Sequence, residues 1–223
     1  MLSWLRRRQA PLAPAGKLEP VAFAALFPAF PTTRVTLERL EECIGGVAMI
    51  ELGYLAFLAR WLPAAKVFEI GTSQGRTTLN LALNLAPGGH IHSLDLPAGY
   101  VPEAACYAPA QEVEVKHLER AAFLKPYLDR LPVTLLEGES TSFDFSPWFR
   151  RMDLVFVDGG HTQRVLETDS RNAFHLIKPG GLILWHDYTQ PACPEVTAFL
   201  DDLGRQRPLR HVRGTRLVIY QGG

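Results

Sequence analysis

A seven-residue stretch, Glu69-Ile-Gly-Thr-Ser-Gln-Gly75, decides how this chain is expected to fold. A short, mostly apolar run from Lys66 to Ile70 leads into it, and a helical pattern from Thr77 to Leu85 follows, so we predict a strand, a loop and a helix. Gly71 and Gly75 bracket the loop, where the backbone must turn sharply and approach a ligand closely. A Gly-x-x-x-Gly spacing alone also occurs in tight strand-to-helix turns that bind nothing.

The alternation of short apolar runs and helical segments continues towards the C-terminus and predicts βαβ units around a parallel sheet. A helix is predicted from Gln163 to Ile177, and an antiparallel pair from residues 211–213 and 215–220. The other predicted strands are His90 to Leu94, Val133 to Leu136, Asp153 to Val157 and Gly181 to Trp185. We therefore expect a doubly wound α/β domain with a mostly parallel seven-stranded sheet and an antiparallel C-terminal hairpin.

The N-terminal part of the chain differs in composition and is rich in proline and alanine. We expect residues 1–35 to form an N-terminal helical extension and residues 36–223 to form the main domain. Thr36 is placed to cap a helix that runs to Trp61. The apolar stretch from Val21 to Phe30 has two possible roles, covering the protein's own core or contacting a second copy, so a homo-oligomer stays open.

Composition limits the partners of the chain. It has 223 residues, and 23 basic residues balance 23 acidic ones, so no global field would attract nucleic acid or an anionic membrane. The most apolar window, Ile44 to Leu62, carries Glu51 near its middle, which argues against stable membrane insertion. We expect a small-molecule partner. The three cysteines are widely spaced, which favours free thiols in a reducing, cytoplasmic compartment: Cys43, Cys106 and Cys193.

Acidic residues follow the carboxyl ends of five predicted strands, where open α/β sheets bind their ligands. Asp95, about twenty residues after the glycine loop, is suited to accept hydrogen bonds from both ribose hydroxyls of an adenosine cofactor. Ser73 replaces the second glycine of the dinucleotide pattern, and Glu69 would repel a pyrophosphate and suit a cation. These features disfavour a nicotinamide cofactor. The five acids are Glu69, Asp95, Glu139, Asp158 and Asp187.

Five motifs, in order, resemble those of the class I S-adenosylmethionine-dependent methyltransferases, whose fold is Rossmann-like. More narrowly, they look like the bacterial small-molecule group that includes macrolide-sugar and rhamnosyl O-methyltransferases and cephalosporin-hydroxylase-like proteins. The resemblance covers roughly Ala65 to Tyr188. The motifs are the glycine loop Glu69 to Gly75, Ser93-Leu-Asp95, Glu137-Gly-Glu-Ser140, Asp153-Leu-Val-Phe-Val-Asp-Gly-Gly-His161 and Lys178-Pro-Gly-Gly-Leu-Ile-Leu-Trp-His-Asp187.

The resemblance implies which residues bind S-adenosylmethionine. Gly71, Ser73 and Gly75 would line the methionine moiety, Asp95 the ribose, and the segment Glu139-Ser140 the surroundings of the adenine. The full set expected to contact the cofactor is Glu69, Gly71, Thr72, Ser73, Gly75, Thr77, Asp95, Glu139, Ser140 and Asp158.

The resemblance also implies a catalytic pair and a metal site. His161 is the expected general base, with Asp158 beside it. In metal-dependent relatives, acids at the positions of Asp158 and of the pair His186-Asp187 hold Mg²⁺. Because imidazole suits Mn²⁺, Fe²⁺ or Zn²⁺ better than Mg²⁺, His186 leaves open whether a divalent metal is bound and which one. The alternatives are structural: His161 as a helix-start residue, and Asp187 as a turn cap.

The predicted function is methyl transfer from S-adenosylmethionine to a hydroxyl of a small molecule, with metal assistance open. The loop from Pro97 to Val115 and the N-terminal extension would select the acceptor. Three alternatives remain: a metal-independent methyltransferase, a module that binds the cofactor without turnover, and a nicotinamide oxidoreductase.

Overall fold

A computed structural model of the chain describes residues 16–41, 46–97, 99–100 and 119–223. Most of the loop predicted to select the acceptor, together with Cys43 and Cys106, lies outside these ranges. Within them, no helix combines the length and the hydropathy that a crossing of the bilayer requires.

The described part of the chain forms one eight-stranded sheet with the strand order β1-β7-β8-β6-β5-β2-β3-β4. Neighbouring strands run parallel except β8, which is antiparallel to both β6 and β7. The strands are β1 Pro20–Val21, β2 Lys66–Ile70, β3 His90–Asp95, β4 Val133–Glu137, β5 Met152–Val157, β6 Ile177–Trp185, β7 Arg210–Val212 and β8 Val218–Gln221. The predicted α/β class and the antiparallel C-terminal pair are confirmed.

The central strands of the sheet carry apolar side chains on both faces, and helices cover both of these faces. On one face, Val67, Leu154 and Leu184 pack against α2. On the other face, Phe68 and Val155 belong to the core that α4 and α5 complete. The helices are α1 Phe23–Leu26, α2 Met49–Trp61, α3 Arg76–Asn84, α4 Gln163–Leu176 and α5 Pro194–Leu203, with 3₁₀ turns at Phe30–Thr32, Lys125–Tyr127 and Ser146–Trp148.

The eighth strand, β1, comes from the N-terminal extension. Pro20 and Val21 pair in parallel with His211 and Val212. A two-residue strand leaves no alternation in the sequence, and proline at its first position is compatible with a sheet edge. The expected count of seven strands therefore omitted this edge strand, and helix α5 was also not predicted.

The prediction of a helix capped by Thr36 is wrong, because α2 begins at Met49. The side-chain amide of Asn84 accepts from the backbone N–H of Thr36 and donates to its carbonyl, at 2.8 and 2.7 Å. Asn80 makes the same pair of bonds with Glu38, at 2.8 and 3.0 Å. The two asparagines of α3 thus satisfy the backbone of this segment outside a helix.

The apolar part of the extension covers the protein's own core. Phe23 and Phe27 are buried, each 2% exposed. Phe23 stacks on Tyr54 of α2 with 4.0 Å between ring centroids, and both phenylalanines contact Phe57 edge-on. The structure thereby settles which surface these side chains cover.

The residues before β1 are held by Tyr188, which follows β6 and is fully buried. Its hydroxyl accepts from the backbone N–H of Leu18 at 2.9 Å and donates to Asp201 at 2.6 Å. Asp201 also accepts from the backbone N–H of Lys17 at 2.9 Å. The extension is therefore anchored to the same end of the sheet as the loop after β6.

Candidate active site

The strand order reverses direction between β2 and β5, which are neighbours in the sheet. From β2 the chain winds outward through β3 and β4, and from β5 it winds the other way through β6. Loops leaving the carboxyl ends of strands diverge at such a switch point and leave a crevice for a ligand. The predicted site residues follow these strand ends.

The glycine loop lies directly over the end of β5. Gly71 has a φ of +102°, and a Cβ at this position would lie 2.0 Å from the backbone carbonyl oxygen of Asp158. Its N–H donates to the carbonyl of Leu94 at 2.9 Å. Gly75, with a φ of +81°, is the N-cap of α3. Only glycine allows both the left-handed backbone and this close approach.

A pocket opens at this switch point. Its apolar walls come from β2, β3 and α4, and its polar groups follow β3 and β4. Four of the residues expected to bind the cofactor line it: Gly71, Asp95, Glu139 and Ser140. The complete lining is Ile70, Gly71, Leu94, Asp95, Leu96, Gly138, Glu139, Ser140, Thr141, Gly159, Gly160 and Val165.

Asp95 is fixed at the rim of the pocket by backbone donors. Its Oδ2 accepts from the N–H of Ser73 at 2.6 Å and its Oδ1 from the N–H of Leu96 at 2.8 Å. Burial raises the pKa of Asp95, and these two backbone bonds oppose the rise. A carboxylate oxygen has two lone pairs, so each oxygen keeps acceptor capacity for a further hydroxyl.

Glu69 lies beneath the loop and outside the pocket lining. Its Oε2 accepts from the hydroxyls of Thr78 and Ser93, and Ser93 is itself 2.6 Å from the hydroxyl of Thr72. Among the described residues, no partner reaches Oε1. Burial raises the pKa of Glu69 to about 8, although the two hydroxyls counteract it. Glu69 is thus a largely neutral acid at pH 7 that ties the loop to β3.

The remaining predicted cofactor residues surround the pocket without lining it. Ser73 contributes a backbone donor to Asp95, and Thr72 joins the hydroxyl cluster above Glu69. Thr77 is buried in the first turn of α3. Asp158 lies where β5 ends and directs its carboxylate to His186.

His186 lies fully buried among three carboxylates. Its Nδ1 is 3.1 Å from Oδ1 of Asp158 and 3.3 Å from Oδ1 of Asp187, and its Nε2 is 3.1 Å from Oε2 of Glu51. Ionised carboxylates only accept hydrogen bonds, so this arrangement favours the doubly protonated ring. Burial lowers the pKa of His186, but Asp158 and Asp187 raise it well above its usual value.

His161 is the more accessible histidine of the site. Its Nε2 lies 3.0 Å from Oδ2 of Asp187, its Nδ1 lies 3.3 Å from Sγ of Cys193, and 19% of its side chain is exposed. It directly follows Gly160, which lines the pocket. Burial lowers the pKa of His161, but the bonds to Asp187 and Cys193 raise it to about 10.

The backbone and surroundings of Asp187 reinforce this arrangement. Its φ of +61° is in the left-handed region, which aspartate tolerates and which is enriched at functional sites. Arg216, from the turn before β8, donates to Oδ1 at 3.1 Å. Burial would raise the pKa of Asp187, but His186 and His161 hold it well below its usual range.

The residues predicted to hold Mg²⁺ lie together but fit that ion poorly. Oxygens of Asp158 and Asp187 already face the imidazolium of His186, and Arg216 adds a second cation. Both ring nitrogens of His186 already face carboxylate oxygens in a fully buried position, so an ion bound there would have to displace one of these contacts. Protein cations thus neutralise these acids.

The pocket does fit an adenosyl cofactor. A Cβ on Gly71 would meet the carbonyl oxygen of Asp158, and one on Gly159 would lie 3.4 Å from a side-chain carbon of Ile70 and 3.1 Å from a carboxylate oxygen of Asp169. The pocket combines apolar residues such as Ile70 and Leu94 with the polar residues Asp95 and Ser140, a combination typical of small-molecule sites.

Sequence reasoning missed three residues of the site: Glu51, Cys193 and Arg216. Glu51 is the one acid within the apolar helix α2, and this isolation was the available signal that it has a buried partner. Cys193 and Arg216 carry no such signal, because they reach the site through α5 and the C-terminal hairpin.

Comparison with known proteins agrees with this geometry. A family model described as "Methyltransferase domain" matches residues 68–188. No curated protein matches the chain. Three similar solved structures show the same fold. The O-methyltransferase TomG of Streptomyces achromogenes, in complex with SAM, is 17% identical with a TM-score of 0.55, over 89% of this chain and 96% of TomG. An O-methyltransferase of Bacillus cereus in complex with SAH (15% identity, TM-score 0.56, 90% of each chain) and a putative caffeoyl-CoA O-methyltransferase of Staphylococcus aureus (15% identity, TM-score 0.56, 91% of this chain and 93% of that one) are the other two.

The family match covers more than half of the chain and spans the glycine loop, the strand-end acids and the two histidines. The pocket at the switch point is lined by residues of the same matched segment, among them Gly71, Asp95 and Ser140. The chain belongs to the methyltransferase-domain family and is a class I S-adenosylmethionine-dependent methyltransferase.

Proposed function

We propose that the protein transfers a methyl group to a hydroxyl oxygen of a small molecule, with His161 as the general base. The observation that carries this proposal is the continuity of the site: the pocket-lining Gly159 and Gly160 run directly into His161, whose ring is oriented by Asp187. A base held beside a cofactor pocket is the arrangement that deprotonation of an attacking hydroxyl requires. TomG, among the similar structures, is an O-methyltransferase.

When bound, S-adenosylmethionine would supply a methyl group activated on a sulfonium centre. The pocket aligns the two reactants, and this alignment is a large part of the rate enhancement. His161 takes the proton of the acceptor hydroxyl, and the carboxylate of Asp187 stabilises the resulting imidazolium. Asp95 holds the ribose, since its two oxygens are already fixed by backbone donors.

We propose that no resident Mg²⁺ takes part, because His186 and Arg216 supply the positive charge beside Asp158 and Asp187. Turnover should survive exhaustive dialysis against EDTA. In the variant His186→Asp the imidazolium is replaced by a carboxylate, so calorimetry should detect Mn²⁺ binding that the unmodified protein lacks. Activity that disappears with EDTA and returns with Mg²⁺ would contradict this part of the proposal.

We infer a small-molecule acceptor rather than nucleic acid, because 23 basic residues are balanced by 23 acidic ones. We also propose a cytoplasmic location, because the three widely spaced cysteines favour free thiols in a reducing compartment. Residues 97–115 and the N-terminal extension, residues 1–35, are proposed to shape acceptor choice.

The cofactor part of the proposal is tested by calorimetry with S-adenosylhomocysteine. Asp95→Ala should weaken binding by about 1–3 kcal/mol, because a charge-assisted hydrogen-bond pair to the ribose is lost. The exposed Asp129 offers a matched control, and Asp129→Ala should bind like the unmodified protein. Equal affinities of all three proteins would remove Asp95 from the cofactor site.

The reaction itself is tested with a panel of phenols, sugars and hydroxylated natural products, following S-adenosylhomocysteine release and the mass of the product. His161→Ala should lower kcat about 10²- to 10⁴-fold with little change in KM. His175 lies on α4 and stacks on Phe149, so His175→Ala is the control that should keep full activity. Cofactor binding without methyl transfer to any acceptor would favour a non-catalytic binding module.

A further inference from the structure

Three side chains with different ligand atoms converge at the edge of the proposed active site. His161 comes from the loop after β5, Asp187 from the loop after β6, and Cys193 is the N-cap residue of α5. One ligand atom from each residue can be chosen so that all three lie within 4.8 Å of one another. This cluster shares Asp187 with the group around His186 but differs from it in containing a thiol.

The distances within the cluster approach those of a metal site. In tetrahedral zinc sites, bonds of about 2.0–2.3 Å place neighbouring ligand atoms about 3.3–3.7 Å apart. Here Nε2 of His161 is 3.0 Å from Oδ2 of Asp187, and the other ring nitrogen, Nδ1, is 3.3 Å from Sγ of Cys193, so the two contacts use different nitrogens of the ring. A turn of the imidazole and a contraction of about 1 Å would bring one ring nitrogen, one oxygen and the sulfur around a common centre.

The two oxygens of Asp187 separate this cluster from the imidazolium next to it. Oδ1 faces His186 and Arg216, whereas Oδ2 faces His161. An ion bound through Oδ2 therefore leaves the contacts of Oδ1 in place. Cys193 and Asp187 are buried, at 3% and 6% exposure, while the partly exposed ring of His161 gives access from solvent.

Thiolate, imidazole and carboxylate together select thiophilic ions of the Zn²⁺ and Co²⁺ type and discriminate against Mg²⁺. We propose that His161, Asp187 and Cys193 form a binding site for such an ion. On binding, the thiol of Cys193 and the protonated ring of His161 each lose a proton to solvent, and the sulfur and one ring nitrogen bond to the metal, with no change of oxidation state. The metal then holds His161 and prevents it from accepting a proton, so the ion inhibits methyl transfer.

The inhibitory consequence rests on the proposed role of His161, but the binding site does not. Co²⁺ added to the chelator-treated full chain tests binding alone, because a cysteine thiolate bound to Co²⁺ gives a charge-transfer band in the near ultraviolet. We expect this band at one Co²⁺ per chain, its loss in Cys193→Ser, and its retention when Cys43 and Cys106 are both replaced by serine. Absence of the band, or its survival in Cys193→Ser, would overturn the site.

A second variant distinguishes the loss of a metal ligand from a loss of Co²⁺ binding caused by misfolding. His161→Ala removes the most exposed ligand and should weaken Co²⁺ binding about 10- to 100-fold while the thermal transition is preserved. Micromolar Zn²⁺ should inhibit turnover of the unmodified protein, and Cys193→Ser should need at least tenfold more Zn²⁺ for the same inhibition. If no acceptor is ever methylated, the Co²⁺ spectrum still decides the site, so the two proposals fail independently.

Discussion

At the scale of single residues, Gly71 couples the cofactor loop to the end of β5. Replacing it with alanine forces a left-handed backbone, which costs about 1–2 kcal/mol, and drives a Cβ to 2.0 Å from the carbonyl oxygen of Asp158. We expect Gly71→Ala to lose more than this amount in free energy of unfolding and to lose S-adenosylhomocysteine binding. Denaturant titration and calorimetry measure the two effects.

Gly214 provides the matched control for this variant. Its φ of +77° is also left-handed, but a Cβ there would meet nothing within 4 Å. Gly214→Ala should therefore show only the backbone cost and normal cofactor binding. Similar losses in both variants would mean that the contact with Asp158 contributes nothing.

The pKa of His161 predicts how turnover depends on pH. The base must be unprotonated to act, and its pKa is raised to about 10. We therefore expect kcat, measured at saturating substrates, to rise about tenfold per pH unit between pH 7 and 9. Asp187→Asn removes the strongest interaction that raises this pKa and should shift the profile to lower pH. A flat profile over this range would exclude His161 as the base.

The raised pKa of His161 also makes stability depend on pH, and stability should change with pH in the direction opposite to turnover. A pKa raised on folding gives a stabilising contribution that is complete below the unfolded value of 6.5 and is lost as the pH rises through about 10. The thermal transition should therefore fall between pH 7 and 10 while turnover rises. Thermal scans at matched ionic strength measure this trend.

At the scale of elements, the side chain of Glu51 links helix α2 to the loop after β6 and to the C-terminal hairpin. It lies on α2, its Oε2 is 3.1 Å from His186 after β6, and its Oε1 accepts from the backbone N–H of Arg216 in the C-terminal hairpin at 2.6 Å. Removing one partner of a buried ion pair leaves the other without compensation and costs about 3–5 kcal/mol. We expect Glu51→Gln to lose stability of this order in denaturant titrations.

An exposed pair on the same protein is the appropriate comparison. Glu119 and Lys125 form a salt bridge with 69% and 54% of their side chains exposed. Such pairs contribute at most about 1 kcal/mol, so Glu119→Gln should change stability very little. If the two variants behave alike, the pairing of Glu51 with His186 is not a source of stability.

The elements also show what the sequence could and could not predict. Strands β2 and β5 are buried along nearly their whole length and have acids at or just after their carboxyl ends, so the apolar runs and the acids located them to within a few residues. The start of α2 was mislocated because asparagines about forty residues away bind the backbone of residues 36–38. The pocket-lining residues follow strand ends and were accessible to prediction. Contacts made through α5 and the C-terminal hairpin depend on tertiary packing alone.

At the scale of the whole molecule, Tyr188 connects the N-terminal extension to the domain. Its hydroxyl bonds to Leu18 and Asp201, and burial with the Asp201 bond raises its pKa above the usual range. Tyr188→Phe should destabilise the protein by about 1–3 kcal/mol and speed amide exchange at Leu18. Tyr220→Phe, at a ring that packs on Phe174, is the control. Unchanged exchange at Leu18 would contradict the anchoring role.

The position of Arg216 has a consequence for how the protein is made. Strands β2 to β5 are synthesised early and supply the glycine loop and the pocket, but the cation beside Asp187 and the backbone donor to Glu51 come from the turn before β8. A nascent chain on the ribosome can therefore assemble the cofactor crevice while the acids next to it still lack part of their neutralising charge. Completion of the last hairpin therefore supplies this charge and this donor after the rest of the site has been synthesised.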